Sequence, residues 1–272
     1  MEASARKEGY PPAKRIQKHG SHLLQMTSPE STPQETHRRF IMANHKLLRL
    51  SATLLFIGLV VFGVTIPLHP PGANDHQAAF TAYANSSSWA AIHLGQFVGT
   101  AVIIAGLLVL FFALNVSEGT PRWLGFFGAI AAGVALALAG VRFAVDGVAL
   151  KQAVDAWVSA PAAEQAARFA SAEALRWLEW GTTSYQDFML GLALVLFAIV
   201  IVWTARVPRP VGYLMGLSGL ASLVLGWVIG AEGFAPIGEV PSYAAPVFLF
   251  ASIIWLLIVA WRRKESAQAA PA

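Results

Sequence analysis

The chain contains no cysteine. That excludes disulfides, Cys-ligated zinc, iron–sulfur clusters and thiol catalysis. Charge is also scarce: 12% of the residues are Asp, Glu, Lys or Arg, against 56% hydrophobic residues and a mean hydropathy of +0.56. A soluble chain carries roughly 25% charged residues, so the deficit points to a membrane protein. The pI of about 9.6 does not indicate nucleic acid, because the basic residues sit at the ends of apolar segments and not on one soluble face.

Other absences narrow the chemistry. No span contains a mid-helix lysine, which excludes a retinal Schiff base. His93 is the one histidine placed inside a span, so a haem held by two imidazoles does not fit. Gly216-Leu217-Ser218-Gly219 matches the GxSG of rhomboid proteases, but no histidine follows His93 to act as base, and the match is read as chance. There is no P-loop, no Gly-rich dinucleotide motif and no HExxH pair. No catalytic residue, metal site or cofactor is expected.

What is present is a succession of apolar runs. A span needs about 20 mostly apolar residues, and six runs qualify: Leu47–Pro67, Ala91–Leu114, Arg122–Val145, Ser184–Ala205, Val211–Gly230 and Ala244–Trp261. The expected fold is all-α, a polytopic six-helix transmembrane bundle over 46–264. It is flanked by a disordered basic tail (1–45) and a short tail (265–272). The first run follows a long polar segment and has no small-residue cleavage site, so it reads as a retained helix and not a signal peptide. Trp89, Trp123, Trp177, Trp180, Trp203 and Trp261 fall near span ends, where indole rings favour the headgroup layer.

Placing both termini in the cytoplasm puts 15 of the 19 lysines and arginines on the inner side, as the positive-inside rule requires. The loop of residues 68–90 is turn-rich. In the longer outer loop, 146–183, Pro161 precedes AAEQAARFASAEALRWLEW, a run of helix formers. It is expected to lie on the outer surface or to run into the fourth span. Gly125, Ala129, Gly133 and Ala137 recur every four residues, a pattern that lets helix backbones approach closely. It places the third helix at the centre.

Polar groups gather near the outer end of the bundle. Arg142 and Asp146 are one turn apart; Arg176, Glu179, Thr183 and Asp187 form one stripe; His93, Gln96 and Thr100 share a face. A charge facing lipid costs at least ~2.5–3.5 kcal/mol at the bilayer centre, so these faces should point inward. The candidate site is an outward-open polar pocket lined by His93, Gln96, Arg142, Asp146, Glu179, Tyr185, Asp187 and Glu232. Asp187 is its leading residue, because no base lies one turn away. The alternative is structural: Arg142–Asp146 and Arg176–Glu179 as local ion pairs at headgroup level.

IHLGQFVGTAVIIAGLLVLFFAL (92–114) and PRWLGFFGAIAAGVALALAGVRFAVDGVAL (121–150) resemble segments of multi-pass bacterial membrane proteins of unknown function. The resemblance implies a bacterial plasma membrane and transfers no functional residue. Three roles remain. The first is a structural or accessory protein whose partners are the lipid bilayer and other membrane subunits. The second is a binding protein or secondary transporter for a small polar solute, a cation or a proton. The third, least supported, is an enzyme acting on a lipid-borne substrate.

Overall fold

A computed structural model describes residues 33–70 and 74–262, with side chains from His45 onward. The chain divides into two units, Met1–Arg38 and Arg39–Ala272, and all of the packing below lies within the second. Of the described residues, 88% are helical and none is in a strand. The helices are α1 (Pro33–Thr65), α2 (His76–Ala84), α3 (Trp89–Leu114), α4 (Gly119–Ala144), α5 (Lys151–Val158), α6 (Gln165–Thr204), α7 (Arg209–Glu232) and α8 (Glu239–Arg262). A π-helical segment, Val145–Leu150, joins α4 to α5 without a break.

Six stretches are long and apolar enough to cross a membrane. This is the all-α, six-span fold that the hydropathy runs indicate, and it follows from the requirement that backbone polar groups in hydrocarbon be satisfied within the segment. Three boundaries differ from expectation. First, α1 begins at Pro33 and takes in residues 33–45 of the segment expected as a disordered tail; residues 1–32 and 265–272 of the expected tails lie outside the described residues. Second, the turn-rich 68–90 loop contains α2, whose first turn is capped by Asp75 accepting from the Ala78 N–H at 3.1 Å. Third, the third span continues past Val145, while the run after Pro161 joins the fourth span, one of the two places expected for it. Gly119–Val158 and Gln165–Thr204 are 40 residues each, roughly 60 Å at 1.5 Å per residue, about twice the hydrocarbon thickness. Their extensions pack on each other as α5 against α6.

The central helix is α6, which packs against both α4 and α7. The α6–α7 contact is backbone to backbone: a Cβ on Gly191 would lie 2.7 Å from the Gly219 carbonyl oxygen, and one on Gly219 equally close to that of Gly191. The small-residue stripe on α4 does not play the part expected of it. Gly133 and Ala137 are exposed, and a Cβ on Gly133 would meet nothing within 4 Å. Of the stripe only Gly125 lies on the face α4 buries, which otherwise runs through Gly128, Ala131, Ala132, Ala135 and Ala139.

The main core runs through the bundle, with Leu55, Ile104, Leu107, Leu110, Leu194, Phe197, Ile201, Met215, Ile253 and Leu256 almost wholly buried. A second, smaller cluster sits beyond it. Ala79, Phe80 and Tyr83 of α2 pack with Trp89, Leu150, Val154 and Ala172. It covers the end of the bundle shared by the α4–α5 and α6 extensions, called here the α2 end.

Candidate functional site

Under this aromatic cover lies a cluster of polar groups. His93, in the second turn of α3, is 2% exposed, and Asp146, in the π segment, 3%. Their side chains meet, with Nε2 of His93 2.9 Å from Oδ2 of Asp146. Nδ1 of His93 lies 2.8 Å from the Trp89 carbonyl oxygen. A carbonyl only accepts, so Nδ1 carries the hydrogen and Nε2 is the nitrogen that faces the carboxylate. Trp89 also holds Asp146 in place, its Nε1–H donating to the Asp146 main-chain oxygen at 3.0 Å.

The π segment makes this meeting possible. It widens the helical turn at Asp146, so Arg142 and Asp146 do not form the expected i,i+4 pair. Asp146 faces His93, while Arg142 Nη1 reaches toward Gln186 Oε1 at 3.5 Å. Gly147 lets α3 come close, since a Cβ there would be 2.7 Å from the His93 Cβ.

His69 joins from the chain after α1. Its ring centroid is 5.0 Å from that of His93 and 5.1 Å from that of Trp89. Its Nδ1 lies 2.5 Å from the Pro70 carbonyl oxygen, so here too Nδ1 is the protonated nitrogen. Burial, the largest influence, holds the His69 imidazole below its ordinary pKa, against the opposing pull of Asp146. One donor atom each from His69, His93 and Asp146 lies within 4.8 Å of the other two. His69 is not among the site residues that the sequence pattern singles out. Its signal was slight, a histidine held between Pro67 and the Pro70-Pro71 pair where the backbone must turn.

Arg176 and Glu179 of α6 complete the enclosed group. They are 1% and 2% exposed and form an ion pair. The Arg176 guanidinium also lies over the rings of Tyr83, 5.4 Å away, and Phe234, 4.7 Å away, a cation–π geometry. This is the local ion pair of the structural alternative, here enclosed by protein. Burial also raises the Tyr83 hydroxyl pKa, so the ring stays neutral.

The remaining expected site residues separate. Arg142, Asp187 and the additional Gln186 line a cavity of about 620 Å³ among α1, α3, α6, α7 and α8, together with Ser218, Ser222 and largely apolar side chains. Gln96 is buried on α3, and its carbonyl accepts from the Thr100 hydroxyl at 2.8 Å. Tyr185 is 64% exposed on the outside of α6. Glu232 is exposed at the end of α7, where its main-chain oxygen accepts from Asn74 Nδ2 at 2.9 Å. Of the eight expected residues, three thus lie in the enclosed cluster, two line the cavity, two are at the surface and Gln96 stands apart, buried on α3. No family model, curated protein or solved structure matches this chain.

Proposed function

We propose that this membrane-spanning protein binds a small amphipathic molecule that partitions into the bilayer. The supporting observation is the cavity. Its walls are apolar side chains such as Leu59, Phe62, Ile103, Leu190, Leu194 and Leu249, and Arg142, Gln186 and Asp187 stand together near the α2 end. A ligand site of this kind is mostly apolar, with a few convergent polar groups that fix orientation. Arg142 offers donors and Asp187 an acceptor, so the ligand needs an apolar body and a hydrogen-bonding head. Lipid-exposed faces surround the bundle, with residues such as Val224, Trp227, Val247 and Phe250 exposed. The distribution of lysine and arginine supports a plasma-membrane orientation with both termini cytoplasmic, which turns the α2 end outward. A C-terminal reporter found outside the cell would overturn that orientation.

The test is mass spectrometry of organic extracts from the purified protein, comparing wild type with Leu190→Trp, which fills the cavity, and Asp187→Asn, which removes the acceptor charge. A small molecule present in wild type and depleted severalfold in both variants supports the reading. Identical extracts overturn it in favour of the accessory, partner-binding role, which a stoichiometric second chain in the purified material would support.

A further inference from the structure

We propose that His69, His93 and Asp146 form a binding site for a divalent first-row transition-metal ion of the zinc class, separate from the cavity.

The donor set is built for it. Both imidazoles use Nδ1–H on a main-chain carbonyl, His93 on Trp89 at 2.8 Å and His69 on Pro70 at 2.5 Å. Each Nε2 is left with a lone pair. Metal-ligating histidines almost always donate their other ring N–H in this way, which sets the tautomer and orients the ring. Asp146 contributes a carboxylate whose Oδ1 is buried and has no hydrogen-bond partner. A buried, unsatisfied carboxylate oxygen is destabilising, and a cation is the partner such an oxygen accepts best.

The contact between His93 and Asp146 itself calls for a cation. A lone-pair nitrogen 2.9 Å from a carboxylate oxygen is repulsive unless a proton or a metal ion lies between them. With Zn–N and Zn–O bonds of about 2.0–2.2 Å, the ligand atoms of a tetrahedral site lie about 3.3 Å apart. The present separations, from 2.9 Å to no more than 4.8 Å, bracket that value. His69 makes the remaining adjustment. It follows the short 3-10 turn Ile66–Leu68 and is half-buried, so it combines freedom to shift with access from the surface.

The chain between these residues supports the same conclusion. Trp89 fixes both inner ligands, His93 through its carbonyl and Asp146 through its indole N–H. The π turn presents Asp146 inward, and such turns occur frequently at functional sites. With no cysteine in the chain, the donors are imidazole and carboxylate, a set that suits zinc and its neighbours rather than calcium or magnesium. Three protein ligands leave a fourth position for water or a substrate atom, as in open rather than structural zinc sites.

The test uses full-length, untagged protein in detergent, stripped with chelator, re-dialysed against Zn²⁺ or Co²⁺ and measured by elemental analysis and visible absorption. The expected result is one tightly held ion per chain, with a Co²⁺ d–d absorption band. His69→Ala and Asp146→Asn should weaken its binding by more than about a hundredfold, beyond the cost typical of outer-shell changes. His76→Ala provides the control. That histidine lies at the same end of the bundle but pairs with Glu173 at 3.0 Å, so the variant should retain the ion and the band. The sequence also carries His19, His22, His37 and His45, and weak binding there would be unchanged in every variant. His69 is half-buried, so its variant should fold, which a melting curve establishes. Wild-type binding no tighter than that of folded His69→Ala, or equal loss in His76→Ala, overturns the site and leaves a proton shared between His93 and Asp146.

Discussion

Two polar regions lie side by side at the α2 end and have solved the problem of charge in a membrane differently. In the enclosed cluster, His93, Asp146, Arg176 and Glu179 are each at most 3% exposed and pair directly, His93 with Asp146 and Arg176 with Glu179, under Tyr83, Trp89 and Phe80. At the cavity, Arg142, Gln186 and Asp187 have one long contact among them, 3.5 Å, and open space beside them. Charges sealed in protein must be satisfied by their neighbours. Charges on a cavity can be satisfied by what enters. The first region should therefore respond to mutation in stability and the second in binding.

The largest effect should come from Arg176→Ala. It leaves Glu179 buried without its partner and removes the cation over the Tyr83 and Phe234 rings, and such losses of a buried partner cost about 3–5 kcal/mol. A thermal melt in detergent should show a large drop; a small one would mean that water enters and the cluster is not sealed. Next is Gly147→Ala. The new methyl group would sit 2.7 Å from the His93 Cβ and force α3 and the π turn apart, at about 1–3 kcal/mol. The same protein should lose affinity for Zn²⁺, while Gly133→Ala, facing open space, should change neither melting nor metal content.

Asp187→Asn should sharpen the contrast from the other side. Its melting temperature should stay close to wild type, within about 1 kcal/mol of stability, because solvent or ligand and not a protein partner satisfies the group. Its extracted small-molecule content should fall severalfold. A collapse in stability instead would make the cavity a structural feature. The smallest effects should be those of Tyr185→Ala and Glu232→Gln. Both residues lie on the surface, and substitution there is worth about 0.5 kcal/mol or less. A change in metal or ligand content for either would show that the single-pocket arrangement expected from spacing exists in another state of the protein.

The difference between these regions was only partly legible in the sequence. The stripe Arg176, Glu179 and Thr183 was visible by spacing, and the structure buries all three. That Arg176 and Glu179 form an enclosed pair was not visible, because the cover comes from α2, a helix hidden in a loop of prolines, histidines and serines. Arg142 and Asp146 misled for a local reason: the i,i+4 rule holds for an α-helix, and a π turn begins at Val145. The four-residue repeat on α4 misled for a general one. Small residues permit close packing, but permission is not contact, and the neighbouring face with Ala131, Ala132, Ala135 and Ala139 is the one that α4 buries.

The sequence by itself determined the class of the protein, the number of spans and their approximate places. Those properties are local: each segment must satisfy its own backbone and match the bilayer with its own apolar length. Only the tertiary structure decided that α6 is central, that His69 comes to lie beside His93, and that Asp146 turns away from Arg142. Each of those depends on which distant segment fills the space beside a side chain. Hydropathy and spacing, which describe one helix at a time, carry no information about that neighbour.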